Sequence, residues 1–335
     1  MISFILRRLL IAIPTLIIIS LVVFLLLNLA PNDPMAQVPL TVPPEVKQKM
    51  REALGLGQPI HVQFLKWLVQ FFWIEPQVFI DYFFNTTFSE GKQRIISWQT
   101  RSPVMDIVVQ RLPQTLWVVG MSYVVGILIA LPIGLYSAYK QYSIFDNVGT
   151  FISMIGYSVP PFFSGVFVIV IFSVQLGWLP SIYDTTHSVV DWGTFKFQIQ
   201  QMIMPVMVLA LQTTAQINRF MRSASLDNLN QDYVRTARAK GLTEWTILTV
   251  HVLRNSMIPV VTVIAINVPY IFGGALITEQ VFKVNGIGHQ LIGAIYANDL
   301  PTVQTITFMF AVLIVSFNLL ADIIYGLLDP RIRYD

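Results

Sequence analysis

The sequence predicts an all-α integral membrane protein with about six transmembrane helices, a helical cytoplasmic loop and a small extramembrane region after the first span. Three observations carry this. Of 335 residues, 55% are apolar and only 12% charged, whereas a soluble domain needs roughly 25% charged residues to cover its surface. Uncharged apolar runs recur at about the 20-residue length that crosses a hydrocarbon core. The basic residues gather beside alternate ends of those runs, which is a topology signal.

The expected spans are residues 9–29, 115–137, 148–173, 202–220, 256–278 and 302–328. The first follows Arg7-Arg8, and its apolar run is too long for a secretory h-region, so a retained helix is expected. The fourth is the most polar, with Gln212, Thr213, Thr214, Gln216 and Asn218. Polar residues in a span face a bundle interior or a watery path. With the N-terminus inside, eleven of the 21 basic residues fall on inner segments, while the two short outer loops hold only Lys196 and Lys283. Both termini are therefore expected in the cytoplasm, which requires an even number of spans.

The expected organisation is an N-terminal tail and first helix (1–29), an extracytoplasmic region (30–114) and a five-helix core (115–335) containing the cytoplasmic loop 219–255. The outer region opens with Pro31, Pro34, Pro39, Pro43 and Pro44, which suit an extended exit from the membrane. A solvated helix is expected over Glu45–Leu54, and an amphipathic aromatic run suited to the membrane interface over Ile60–Trp73. Pro132, Pro160-Pro161, Pro205 and Pro269 each remove a backbone donor inside a span. Among them Pro160-Pro161, after Gly156 and Ser158, is the best candidate for a bend.

Composition also excludes chemistry. Cysteine is absent, which rules out disulfides, thiolate metal sites and thiol catalysis. The four histidines have no metal-ligand spacing. No Gly-x-x-x-x-Gly-Lys-Ser/Thr occurs, so this chain has no phosphate-cradling loop and the energy source is expected on another polypeptide. The basic residues flank apolar runs instead of forming one patch, so nucleic acid is not an expected partner. No catalytic residue, metal or cofactor is assigned to the chain.

The cytoplasmic loop reads as two short helices joined at a glycine. Residues 232–240 suit a helix, Gly241 can take the left-handed conformation that ends it, and Thr243 can cap the next. Trp245, Leu248 and Val252 then form one apolar stripe. Such a stripe can lie on the inner membrane surface or insert into a groove of a soluble partner. Periodicity leaves both open.

Arg235-Thr236-Ala237-Arg238-Ala239-Lys240-Gly241, His251-Val252-Leu253-Arg254-Asn255 and Ile258-Pro259 resemble the coupling-loop signature of ABC importer permeases of the dipeptide/oligopeptide/nickel family, first-permease type. Further similarity lies in Arg7-Arg8-Leu9, Ala30-Pro31-Asn32-Asp33-Pro34, Thr278-Glu279-Gln280-Val281-Phe282 with Asn285-Gly286-Ile287-Gly288, and Asp329-Pro330-Arg331-Ile332-Arg333. Residues 73–100 lack the family's short Gly-Asp-Leu-Gly-containing stretch.

The resemblance implies a prokaryotic inner-membrane permease that pairs with a second homologous permease, two ATP-binding subunits and an extracytoplasmic solute-binding protein, surrounded by lipid. ATP and Mg would act on the partner subunits. It implies that Arg235, Thr236, Ala237, Lys240, Gly241, Leu242, Thr243, Trp245 and Leu248 form the coupling surface. Ser158, Pro160, Gln212 and Asn267 are candidates for the translocation path. Cargo would be di- or oligopeptides, with oligosaccharides, nickel chelates or glutathione as alternatives. A secondary transporter or channel would predict inverted repeats or midplane charges, and a membrane enzyme convergent acid–base groups. Glu279 is expected as a solvated carboxylate at the outer end of the fifth span, and Asp322 with a structural partner such as a hydroxyl or amide.

Overall fold

The computed structural model describes residues 2–29, 43–45, 48 and 57–328. Pro31, Pro34 and Pro39 of the proline-rich stretch, most of Glu45–Leu54 and the Asp329–Arg333 motif lie outside them. The described residues are helical apart from turns, loops and an isolated bridge between Ile96 and Pro103. Two compact units divide at Leu112/Pro113 and at His289/Gln290, with the first and last helices contributing to both.

The first unit is built on Pro113–His289. Helix α1 is Ile2–Leu29, α2 Ile60–Val69, α3 Glu75–Phe84 and α4 Val104–Thr115, the last running through a widened π turn into α5, Met121–Tyr139. Then come α6 (Ile144–Ser158), α7 (Pro161–Val168) and α8 (Trp192–Leu229). After these lie α9 (Asp232–Ala239), α10 (Glu244–Thr246) and α11 (Leu253–Phe282). The series ends with α12 (Ile287–Tyr296) and α13 (Leu300–Leu328).

Small residues set the helix directions. A Cβ at Gly126 would lie 2.8 Å from Thr213 Cβ, and one at Gly134 would lie 2.7 Å from Met221 Cβ. Eight residues along α5 match eight along α8, so these helices run parallel and in close contact. Helix α6 runs the other way: Asp146 pairs with Arg222, Ser153 with Asn218, and Gly156 faces Leu211. Helix α11 is also antiparallel to α8. Its Val260 packs in one cluster with Ile217 and Met221, whereas Ala275 and Phe282 pack with Met202 and Leu209 in another.

Four helical stretches are long and apolar enough to cross a membrane: Leu6–Leu29, Val104–Tyr139, Glu244–Val268 and Leu300–Ile323. The expected continuous span at 148–173 is instead two helices meeting at 107°. Both residues that precede a proline are driven out of the helical region: Val159 has φ −84°, ψ 123° and Pro160 has φ −60°, ψ 141°. Counted as one crossing, the bent pair is a fifth. The polar 202–220 stretch lies inside the 38-residue α8 but does not meet the same apolar criterion. Its start is fixed by a reciprocal cap, in which Asp191 accepts from the Thr194 N–H at 2.7 Å and Thr194 Oγ1 accepts from the Asp191 N–H at 2.9 Å.

Glu279 corrects the expectation of a solvated carboxylate. It is fully buried. Thr115 Oγ1 donates to its Oε1 at 2.8 Å, the His289 N–H donates to Oε2 at 2.9 Å, and the Ile287 N–H donates to Thr115 Oγ1 at 2.8 Å. The carboxylate thereby gathers the 283–289 turn. Asp322 has an ionic partner, Arg8 Nη1 at 3.2 Å, rather than a neutral one. Only the helical backbone is described at Pro269, Gly273 and Gly274.

The second unit holds Leu10–Leu112 and Gln290–Val312. Phe24 meets Phe64 at 5.2 Å between ring centroids, and Phe308 meets Trp67 and Phe71 at 5.2 and 5.1 Å. The aromatic run expected at 60–73 is thus helical, with Trp67 buried and Leu65, Val69 and Trp73 exposed. Residues 75–106 are organised by charge. Arg94 Nη2 reaches Glu75 Oε2 at 2.8 Å and Asp106 Oδ1 at 2.7 Å. Burial opposes the Arg94 charge, but Asp106 and Glu75 outweigh it and raise the guanidinium above its ordinary value. Asn85, left-handed at φ 51°, ends α3, and Asp81 accepts from the Phe88 and Ser89 N–H groups at 2.9 and 2.7 Å. Buried Asp299 accepts from Trp98 N–H at 2.9 Å and Thr302 Oγ1 at 2.7 Å.

Candidate functional site

The loop after α8 turns at Asn230 and Gln231 and enters α9. That helix ends at Gly241, whose φ of +77° lies where an L side chain is strained. The Gly241 N–H donates to Arg238 O at 2.9 Å and the Leu242 N–H to Ala237 O at 3.3 Å, closing the helix end. Thr243 then caps the next helix by accepting from Thr246 N–H at 3.3 Å. Arg238 Nε and Nη2 hold Glu244 at 2.9 and 3.2 Å, stapling the two helices across the glycine. The expected helix–glycine–helix form is present. The second piece, however, is no separate short helix: α10 continues through a π turn at Ile247–Val252 into α11.

Burial divides the predicted coupling residues into two layers. Arg235, Thr236, Lys240, Gly241, Leu242, Thr243 and Trp245 are exposed, with Trp245 70% accessible. Ala237 and Leu248 are 4% and 3% accessible and cannot form an outward surface. They pack with Val234, Ile247 and Val252 against Ala130 and Leu135 of α5, Ile217 and Met221 of α8, and Val260 of α11. The Trp245–Leu248–Val252 stripe therefore splits. Its last two members face the chain's own helices, because the continuous α10–α11 rod lays them on that core, and only Trp245 points away.

A second concave feature lies between α6 and α8. It is a cleft of about 730 Å³, within the range of small-molecule sites. The α6 wall presents Asp146, Thr150, Ser153 and Tyr157, spaced at i, i+4, i+7 and i+11 on one helical face. Gln216, Asn218, Arg219 and Arg222 stand opposite on α8. Arg222 binds Asp146 through two hydrogen bonds of 2.7 Å, a paired geometry that neutralises both charges.

Of the path candidates, Ser158 lines this cleft at the bend. Asn267 joins it indirectly, accepting from Gln216 Nε2 at 3.3 Å. Pro160 forms the bend itself, and Gln212 is half-buried on α8 outside the cleft lining. Arg219, Arg222, Asp146 and Tyr157 were not anticipated as site residues. In the sequence the two arginines read only as basic residues of the inner segment that follows the fourth expected span, although the polar spacing along α6 is visible there. Among the described residues no group of His, Asp and Glu could hold a metal ion.

Comparison with known proteins agrees with this architecture. Residues 130–334 match the family described as "Binding-protein-dependent transport system inner membrane component". Residues 1–119 match its N-terminal companion, "Binding-prot-dependent transport system membrane comp, N-term". The chain is 36% identical over 342 aligned positions to the oligopeptide transport system permease protein AppB of Bacillus subtilis, covering all of both chains. It is 33% identical over 338 positions to the glutathione transport system permease protein GsiC of Salmonella choleraesuis, again over all of both. A putative peptide transport system permease of Brucella abortus is 34% identical over the full length of both. A chain of the inward-facing MetNI methionine ABC transporter superposes with a TM-score of 0.52 at 21% identity, over 68% of this chain and 99% of that one, a likeness of fold. The chain belongs to the binding-protein-dependent transport system inner membrane component family, and is a permease subunit of an ABC importer of the dipeptide/oligopeptide/nickel type.

Proposed function

We propose that this permease carries di- or oligopeptides inward and that the exposed knuckle from Arg235 to Trp245 receives the force for transport from an ATP-binding subunit. The observation that carries this is mechanical. The knuckle is stapled by Arg238–Glu244, is continuous with α11, and rests through Val234, Ala237 and Leu248 on α5 and α8. A push on Trp245 is thus delivered to three long helices without a flexible link. A knuckle that exposes a tryptophan together with Arg235, Lys240 and Leu242 also has the composition of an interface hot spot.

In this reading, ATP and Mg act on two partner subunits, a second homologous permease completes the path, and an external binding protein delivers the cargo in a lipid-embedded inner-membrane assembly. Catalysis is no part of this chain's work. Helices α1, α4–α5, the α6–α7 pair, α8, α11 and α13 make six crossings, with both termini cytoplasmic. A relative named for oligopeptide transport supports a peptide cargo; glutathione, for which another relative is named, oligosaccharides and nickel chelates are the competing classes.

The test is reconstitution of the complete importer in proteoliposomes and uptake of labelled tri- to pentapeptides. Trp245→Ala should lower ATP-driven uptake about tenfold or more, and Gly241→Pro should abolish it. Retained uptake together with retained stimulation of ATP hydrolysis by the binding protein would refute the docking assignment. Uptake of nickel chelates or oligosaccharides in place of any peptide would refute the cargo.

A further inference from the structure

The cleft between α6 and α8 has a chemistry more specific than a watery passage. Its one acidic group, Asp146, is 2% accessible and fully engaged by Arg222. Arg219 is exposed on the same wall, and among the described residues its recorded contacts are aromatic. Its guanidinium carbon stands 5.9 Å from the centroid of Tyr157 and 5.7 Å from that of Phe220. Stacking on rings orients a guanidinium while leaving its N–H fork available. One uncompensated positive charge therefore faces the cleft.

Beside it, Asn218 is 3% accessible and donates an N–H to Ser153 Oγ at 2.8 Å. Its amide oxygen has no hydrogen-bond partner among the described residues. That oxygen is closed to solvent in this conformation, and a buried acceptor left unmatched costs free energy, so a shift of the α6–α8 wall that opens it favours an N–H donor from outside the chain. A cation next to an unmatched acceptor complements one common chemical unit, a carboxylate with an amide N–H close by. That unit is the C-terminus of a peptide.

We propose that the α6–α8 cleft is a subsite for the C-terminal carboxylate of the transported peptide, with Arg219 as its charge-reading residue and Asn218 as the acceptor for the adjacent amide. This rests on the peptide-importer reading above and names the residue in the path that enforces it. The anionic headgroup of a cytoplasmic-leaflet lipid offers similar chemistry to Arg219, so the experiment separates the two.

The complete importer is reconstituted in phosphatidylcholine vesicles with and without phosphatidylglycerol. Uptake of labelled tri-alanine is compared with that of tri-alanine amide, which lacks the terminal charge. The readout is the ratio of the two rates, in which the preference of the binding protein cancels between variants. Arg219→Gln should shrink the acid-over-amide ratio about tenfold, the loss expected for a charge-assisted hydrogen bond, in both lipid mixtures. Arg219→Lys should keep the ratio within about threefold of the parent, since it retains the charge without the planar fork.

An unchanged ratio in Arg219→Gln overturns the proposal and leaves the peptide reading standing. An effect equal for both peptides and confined to vesicles with phosphatidylglycerol also overturns it, identifying a lipid headgroup as the partner. If Arg219→Gln does not co-purify with its partners, collapse of the ratio in the charge-retaining Arg219→Lys overturns the assignment and its retention supports it. Failure of the parent complex to take up either peptide removes the peptide reading itself, and the subsite with it.

Discussion

Both carboxylate oxygens of Glu279 accept hydrogen bonds, one from Thr115 Oγ1 and one from the His289 N–H, in a site with no access to solvent. Room for it exists because Gly286 and Gly288 carry no side chains: a Cβ at Gly286 would lie 2.3 Å from Glu279 Oε1, and one at Gly288 2.9 Å from Oε2. The Glu-x-x-Phe spacing and the following glycines are thus one device, a carboxylate wrapped by the turn that ends α11. Glu279→Ala should leave the Thr115 hydroxyl and the His289 amide without this acceptor and destabilise the complex by about 2–3 kcal/mol. Glu279→Gln should fall between, since one amide end meets a donor with a donor. Thermal unfolding of the purified complex checks the order, and equal stability of all three forms would show that the turn is held by other contacts. The residues of this device were legible in the sequence but their burial was not. The hydroxyl that closes the site belongs to Thr115, 164 positions away, and no local pattern at 279–288 points to it.

Between elements, the decisive feature is the break at Val159-Pro160-Pro161. Two successive residues that precede proline cannot continue the α6 helix, and the chain departs at 107°. The proline pair could be read directly, and so could the glycine joint at Gly241, because both are backbone properties of single residues. Helix facing was harder. Leu248 and Val252 have the spacing of a surface stripe, but that spacing is the same whether the stripe meets a partner or its own chain. The side they face is fixed by Ile217, Met221 and Leu135, which come from other helices. If the prolines set the bend, Pro160→Ala with Pro161→Ala should allow helix to run on from α6 into α7. Spin labels on cysteines introduced at Asn147 and Gln175 would then move apart by on the order of 10 Å or more, since each residue of straight helix adds about 1.5 Å. An unchanged distance would assign the bend to packing of α7 on α11, where Gly165 faces Val281, and not to the prolines.

At the scale of the whole chain, the direction of α8 decides the topology. Helices α5 and α8 run parallel, so residues 140–191 must carry the chain back along their length before α8 begins. The bent α6–α7 pair does this: Arg222 of α8 meets Asp146 at the start of α6, while the Tyr183 N–H donates to Phe282 O at 3.0 Å at the opposite end of α11. The proposed six-crossing topology accordingly takes the pair as a crossing despite its bend, and α8 as one despite its polarity. The polar residues that lower its hydropathy, Gln216, Asn218 and Arg219, line the cleft, as polar residues of a span do when they face a bundle interior or a watery path. The chain has no native cysteine, so single cysteines report sidedness against a clean background. Cysteines at Gln141, Asn228 and Thr243 should react with a membrane-impermeant maleimide only from the cytoplasmic side, and those at Lys92 and Ser188 only from the outside. Tags at either terminus should be cytoplasmic. Should Ser188→Cys label from the same side as Gln141→Cys, the α6–α7 pair would be a re-entrant hairpin, and with α8 still crossing, the crossings would be odd in number and the termini would have to lie on opposite faces.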